Sequence, residues 1–133
     1  MQRPELAGVR VLIVDDDEDN REMLSTVLEL SGALVTTAHS AAEALRVLER
    51  EVVEVLVSDI GLPDEDGFGL LRKARALHGP RRLDLLPAVA LTGYASPEDK
   101  EQARAAGFQA LLTKPVAIAE LLSALVRVLR AQP

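Results

Sequence analysis

Three aspartates, Asp15, Asp16 and Asp17, stand directly after the apolar run 10–14. A fourth, Asp59, closes a second run, 52–58, and Thr92 and Lys114 follow two more, 87–91 and 109–112. Short, largely apolar runs rich in β-branched residues read as strands covered on both faces. In an open parallel sheet, ligands bind beyond the carboxyl ends of the strands. Carboxylates, a hydroxyl and an ammonium are thus expected on one rim. Two ionised carboxylates about 4 Å apart repel by roughly 4 kcal/mol at an effective dielectric near 20, so Asp15, Asp16 and Asp59 together ask for a cation. Oxygen donors on a half-open rim suit Mg2+, which keeps several waters and takes one or two carboxylates plus substrate oxygens. Lys114 neutralises a further charge. A carboxylate nucleophile, a divalent cation, a lysine and a threonine hydroxyl are the parts of a phosphoryl-transfer centre.

The rest of the chain supplies the elements that must hold these groups. Strands are expected at 10–14, 33–37, 52–58, 87–91 and 109–112. Helices are expected at 19–30, 41–50, 68–78, 97–106 and 117–130. Met23, Leu24, Val27 and Leu28 form the inward face of the first helix, and Ile118, Leu121, Leu122, Leu125 and Leu129 that of the last. Ser40 and Glu43 make a capping box, and Ser96 followed by Pro97 is a helix start. Residues 79–86 read as a surface loop. Strand–helix alternation predicts an α/β fold, one doubly wound five-stranded parallel sheet with five helices, in the order 2-1-3-4-5.

Other chemistries fail on residue type or spacing. The 133 residues contain no Cys, which removes disulfides, thiolate metal sites and thiol catalysis, and fits a reducing compartment. Asp15, Asp17 and Asp19 begin like a calcium loop, but its sixth position is Asn20 rather than Gly and its twelfth is Thr26 rather than Glu. There is no Gly-rich loop ending in Lys-Ser/Thr. A net charge of −6 and 2% aromatic residues argue against direct nucleic-acid binding. No apolar run approaches the 18 or so residues of a membrane span. A cytoplasmic domain without membrane contact is the expectation. Asp17, Glu18 and Asp19 suit a helix start as caps and dipole partners. His39 and His78 lie away from the constellation.

Five ordered blocks carry a family resemblance: Val-Leu-Ile-Val-Asp-Asp-Asp (11–17), Ser-Asp-Ile-Gly-Leu-Pro-Asp-Glu-Asp-Gly (58–67), Ala-Leu-Thr-Gly-Tyr (90–94), Ala-Gly-Phe (106–108) and Thr-Lys-Pro (113–115). The sequence resembles the receiver domain of two-component response regulators, most closely those fused to hybrid sensor histidine kinases. The resemblance covers nearly the whole chain, one receiver domain over 1–133 with its core at about 9–130, and implies a flavodoxin-like fold. It implies that Asp59 takes a phosphoryl group from a phosphohistidine on a histidine kinase or histidine phosphotransfer domain. It implies that Asp16, Asp59 and the backbone carbonyl of Gly61 bind Mg2+ while Asp15 acts through water, and that Thr92 and Lys114 hold phosphoryl oxygens. Lys114-Pro115 would be a cis peptide. The domain would be a phosphoacceptor rather than an enzyme acting on a separate substrate, self-phosphorylating and autodephosphorylating, and a monomer or weak homodimer. Tyr94 would shield the phosphoryl group from water. Leu111 stands where the family often carries Tyr or Phe, so a smaller conformational switch is expected. Two alternatives are a haloacid-dehalogenase-like aspartyl-phosphate phosphatase and a degenerate receiver used only for docking. The first wants Thr or Val where Asp19 stands. The intact set of Asp15, Asp16, Asp59, Thr92 and Lys114 speaks against the second.

Overall fold

A computed structural model describes residues 5–80, 82–93 and 95–131. Its element order is β1 (Arg10–Val14), α1 (Glu18–Leu30), β2 (Leu34–Ala38), α2 (Ala41–Arg50), β3 (Val55–Asp59), α3 (Gly67–Arg75), β4 (Ala88–Thr92), α4 (Pro97–Ala106), β5 (Ala110–Thr113) and α5 (Ile118–Arg130). All strand pairs are parallel and the order is β2-β1-β3-β4-β5, as the alternation predicts. Successive strand residues point to opposite faces, and this divides the core. Leu12, Val14, Leu56 and Ala90 pack beneath Leu48 of α2, Leu70 and Leu71 of α3 and Ala103 of α4. Val11, Ile13, Val57, Val89 and Leu91 pack beneath Leu24 and Leu28 of α1 and Leu121 and Leu125 of α5. The strand order reverses between β1 and β3, which places Asp15 and Asp59 on neighbouring strand ends.

Several expectations need correction. The third strand begins at Val55, not Val52. Val52 is exposed, and the chain joins the sheet only after Glu54 N donates to Arg10 O at 2.8 Å. α3 stops at Arg75, short of His78, and Leu77 N closes a turn onto Ala74 O at 3.1 Å. The stretch 79–86 is not simply a surface loop, because Leu83 and Leu86 are buried in the core layer beneath α2, α3 and α4. Arg75 Nη2 fastens it by donating to Leu86 O at 2.8 Å and to Gly107 O at 2.9 Å. Gly107 ends α4 at φ 106°, against the Arg75 guanidinium, where a Cβ would collide. Met23 and Ile118 are exposed although their helical spacing placed them inward. The burial in these helices falls instead on Leu24 and Leu28 of α1 and on Leu121 and Leu125 of α5.

Candidate functional site

β1 delivers Asp15 and Asp16 to the rim and α1 begins immediately afterwards. Asp17 is the N-cap of α1, accepting from Asn20 N at 3.2 Å, so it serves the helix start as expected. Asp15 is fully buried. A buried carboxylate needs partners for its oxygens, and both are engaged: Oδ1 accepts from Asp17 N at 2.9 Å and Oδ2 from Lys114 Nζ at 3.2 Å. Asp16 turns outward to solvent.

Asp59 is the last residue of β3 and is 9% exposed. Its Oδ2 accepts from Lys114 Nζ at 2.7 Å, and its Oδ1 from Gly61 N at 3.2 Å. The chain then doubles back, with Gly67 N donating to Ile60 O at 2.7 Å. A Cβ on Gly67 would lie 2.7 Å from Asp59 O and 3.0 Å from Ile60 Cα, so only glycine permits α3 to start this close to Asp59. Asp66 caps α3 through Gly69 N at 2.8 Å. Gly61 faces open space.

Lys114 follows β5. Its backbone N donates to Thr92 O at 2.7 Å, and Lys114-Pro115 is cis. Burial pulls the Lys114 ammonium down, but the hydrogen bond and charge of Asp59, with the charge of Asp15, outweigh it and hold its pKa above the ordinary lysine value. Thr92 ends β4 on the same rim, half-buried. Leu111, paired with Ala90 in the sheet, is partly buried against the layer beneath α3 and α4. Tyr94 lies outside the described residues.

Asp15, Asp16 and Asp59 each offer a carboxylate oxygen within 4.8 Å of the others, the one such group of acidic or metal-ligating side chains among the described residues. Three hard oxygen donors on an open rim fit Mg2+ better than a soft or tetrahedral metal. The wall next to Lys114 is a cleft of about 250 Å³ lined by Asp15, Asn20, Met23, Leu24, Leu91, Lys114, Pro115 and Val116. Among the described residues no helix is long and apolar enough to cross a membrane.

Three contributors escaped the sequence reading. Arg21 Nη1 donates to Asp15 O at 2.8 Å and steadies the β1–α1 turn. An Arg in the first two turns of a helix that follows an acidic strand end is the signal that was available. Gly67 enters the sequence analysis only as the last residue of the 58–67 block, with no role of its own. Asp64 bonds Ala41 N and Ala42 N at 3.0 and 2.9 Å, and nothing local to residue 64 announces it.

With this geometry in hand, comparison with known proteins is specific. The pattern of the response regulator receiver domain family matches residues 11–126. The chain is 49% identical over 117 residues to an uncharacterized 14.6 kDa protein in the sodA1 3' region of Leptolyngbya boryana, covering 88% of this chain and 87% of that one. It is 32% identical to the sensor histidine kinase RcsC of Salmonella typhimurium over 81% of this chain, and there it spans only 11% of the relative's length. Among solved structures, the receiver domain of sensor histidine kinase PA1611 from Pseudomonas aeruginosa, with a magnesium ion coordinated in its active-site cleft, superposes with a TM-score of 0.83 at 31% identity. That match covers 94% of this chain and all of the other. The family match and the superposed structure are receivers, and neither the phosphatase nor the docking-only alternative is favoured. A flavodoxin-like doubly wound sheet, an acidic rim with a lysine across it and a family match over most of the length lead to one assignment: this chain belongs to the response regulator receiver domain family.

Proposed function

We propose that Asp59 accepts a phosphoryl group from the phosphohistidine of a histidine kinase or histidine phosphotransfer domain, and that the domain signals through the resulting acyl phosphate. The observation that carries this reading is the contact between Asp59 Oδ2 and Lys114 Nζ at 2.7 Å, on a rim shared with Asp15 and Asp16. In the transfer an Asp59 carboxylate oxygen forms the new bond to phosphorus. The P–N bond breaks and its electron pair stays on the imidazole. Lys114 moves from pairing the free carboxylate to pairing a phosphoryl oxygen, and the Thr92 hydroxyl donates to another. Gly61 N and Gly67 keep the nucleophile at a fixed height above the sheet. Asp15, Asp16, Asp59 and the Gly61 carbonyl would hold Mg2+, which when bound supplies positive charge for the phosphoryl oxygens. The cleft beside Lys114, with Met23 and Pro115 on its wall, gives the donor an approach from the α1 and β5 side. The domain then consumes phosphodonor without releasing a transformed substrate, apart from phosphate when the acyl phosphate hydrolyses.

Incubation with phosphoramidate and Mg2+ should add one phosphoryl mass, abolished by Asp59→Asn and by chelation. Equal labelling of Asp59→Asn would overturn the assignment.

A further inference from the structure

The loop 61–66 carries the Gly61 carbonyl proposed to face the cation, yet most of its hydrogen bonds return to the two elements it joins. Gly61 N bonds Asp59, Leu62 N bonds Ile60 O, Glu65 pairs with Lys73 of α3, and Asp66 caps α3. Asp64 differs. Its two carboxylate oxygens accept separately from Ala41 N at 3.0 Å and Ala42 N at 2.9 Å, the first two amides of α2, 23 and 22 residues away in sequence. Those amides are among the four that an α-helix leaves without internal partners, and they carry the positive end of its dipole. They hold the Asp64 carboxyl below the usual carboxylate range, Ala42 first and Ala41 second. α2 does not need Asp64 to be capped locally. Ser40 Oγ already accepts from Glu43 N at 3.2 Å, and Glu43 Oε1 accepts from His39 N at 2.8 Å. The Asp64 bonds therefore do something the local cap does not: they tie the loop to an element outside the β3–α3 unit.

We propose that Asp64 is a positioning residue for the phosphoryl-transfer centre, fixing the 61–66 loop, and with it the Gly61 carbonyl, against the N-terminus of α2. The proposal rests on the metal reading given above. A loop held from one side only samples positions in which its carbonyl misses the cation, and metal binding must then select the correct one against that freedom. A loop held at Asp64 presents the carbonyl already in place. The coupling is reciprocal, so occupation of the metal site tightens the bonds at Ala41 and Ala42.

The test is a Mg2+ titration followed by amide chemical shifts, with amide hydrogen exchange of residues 41 and 42 measured in the absence and presence of saturating Mg2+. Asp64→Ala should weaken Mg2+ binding roughly 5-fold, and Asp64→Asn, which keeps one acceptor oxygen, should fall between. Ser40→Ala is the control. It weakens the same helix end from its own side and should leave Mg2+ affinity within about twofold of wild type. In the wild type, Mg2+ should slow exchange at Ala41 and Ala42, and in Asp64→Ala it should not. Unchanged affinity in Asp64→Ala, or an equal loss in Ser40→Ala, would overturn the proposal and leave the metal reading intact. Failure of the wild type to bind Mg2+ would overturn both.

Discussion

Two helices begin on the rim beside Asp59 and their first turns are built in opposite ways. α2 starts with Ser40 Oγ accepting from Glu43 N and with Asp64 bonding two further amides from across the loop. The Glu43 carboxylate accepts from His39 N rather than from Ser40 N, the bond that the expected capping box requires. α5 starts at Ala117, which offers no side-chain cap. The chain ahead of it is held by one backbone bond, Lys114 N to Thr92 O, and by the ammonium of Lys114 reaching Asp15 and Asp59. The α2 side of the site is therefore fixed by capping hydrogen bonds from backbone amides to side-chain oxygens that lie away from Lys114. The α5 side is fixed by charge at the centre of the site. A change of charge at Asp59 acts directly on the second and only through the loop on the first. Phosphorylation as proposed would add roughly −1.5 to −2 charges at Asp59, and Lys114 of the β5–α5 segment is the ammonium already paired with that carboxylate.

The heaviest blow is Gly67→Ala, at the end of the β3–α3 loop through which Asp64 ties α2 to the site. Its Cβ would stand 2.7 Å from Asp59 O, and the clashing atom is backbone, so the β3–α3 turn must shift. A loss of about 3 kcal/mol is expected in urea unfolding, with no loss if the loop is softer than the contrast requires.

Next is Lys114→Met, which leaves the carboxylates of Asp15 and Asp59 without their cation. Removing one partner of a partly buried pair should cost about 2 kcal/mol near neutral pH, and added Mg2+ should restore part of it. The folded protein raises the Lys114 pKa. Its stabilising contribution is thus fully present below the ordinary lysine value and is lost as pH rises through the higher folded value. The gap between wild type and Lys114→Met should stay level from neutral pH to about 10 and close above it, which parallel unfolding curves would show. A gap that persists undiminished however far the pH is raised above the ordinary lysine value would mean that packing of the stem, not charge, holds the α5 side.

Smaller still are the caps themselves. Ser40→Ala should cost about 1 kcal/mol and Ala117→Ser should gain about 0.5 kcal/mol. Ala117 already has the extended backbone that a cap residue requires, φ −70° and ψ 138°. If neither change moves the thermal midpoint, the two helix starts are not energetically different in the way their hydrogen bonds indicate.

The smallest effect sharpens the contrast on the far side of the sheet. With beryllium fluoride, amide shifts around Leu111 and α4 should be weaker in the wild type than in Leu111→Tyr. Leucine fills space beside Ala90 but brings no hydroxyl to exchange between partners, and a two-state element moves only by the difference in its interactions with the two states.

How far these features were legible in the sequence depends on how local their causes are. The alternation of apolar runs with helical patterns set the sheet and its order, because burial on both faces leaves strands little choice of residue. Asp17, Ser40 and Ser96 each cap a helix within three residues of themselves, so their roles follow from adjacency. The strand-end residues Asp15, Asp16, Asp59, Thr92 and Lys114 were legible for a related reason: a parallel sheet sends every carboxyl end to one rim.

Tertiary structure decided what adjacency does not encode. Asp64, Glu65 and Asp66 are consecutive and all acidic, yet one caps α2, one pairs with Lys73 and one caps α3. Arg75 closes onto carbonyls 11 and 32 residues away, turning an expected surface loop into part of the core. Met23 and Ile118 stay exposed although their spacing placed them on the inward faces, while Leu24 and Leu121 of the same helices are buried. The sequence by itself determined which groups arrive at the rim. Which of its many carboxylates would find an amide, an ammonium or only water was decided by packing, because a charged oxygen is satisfied by whichever donor the folded backbone brings within about 3 Å of it.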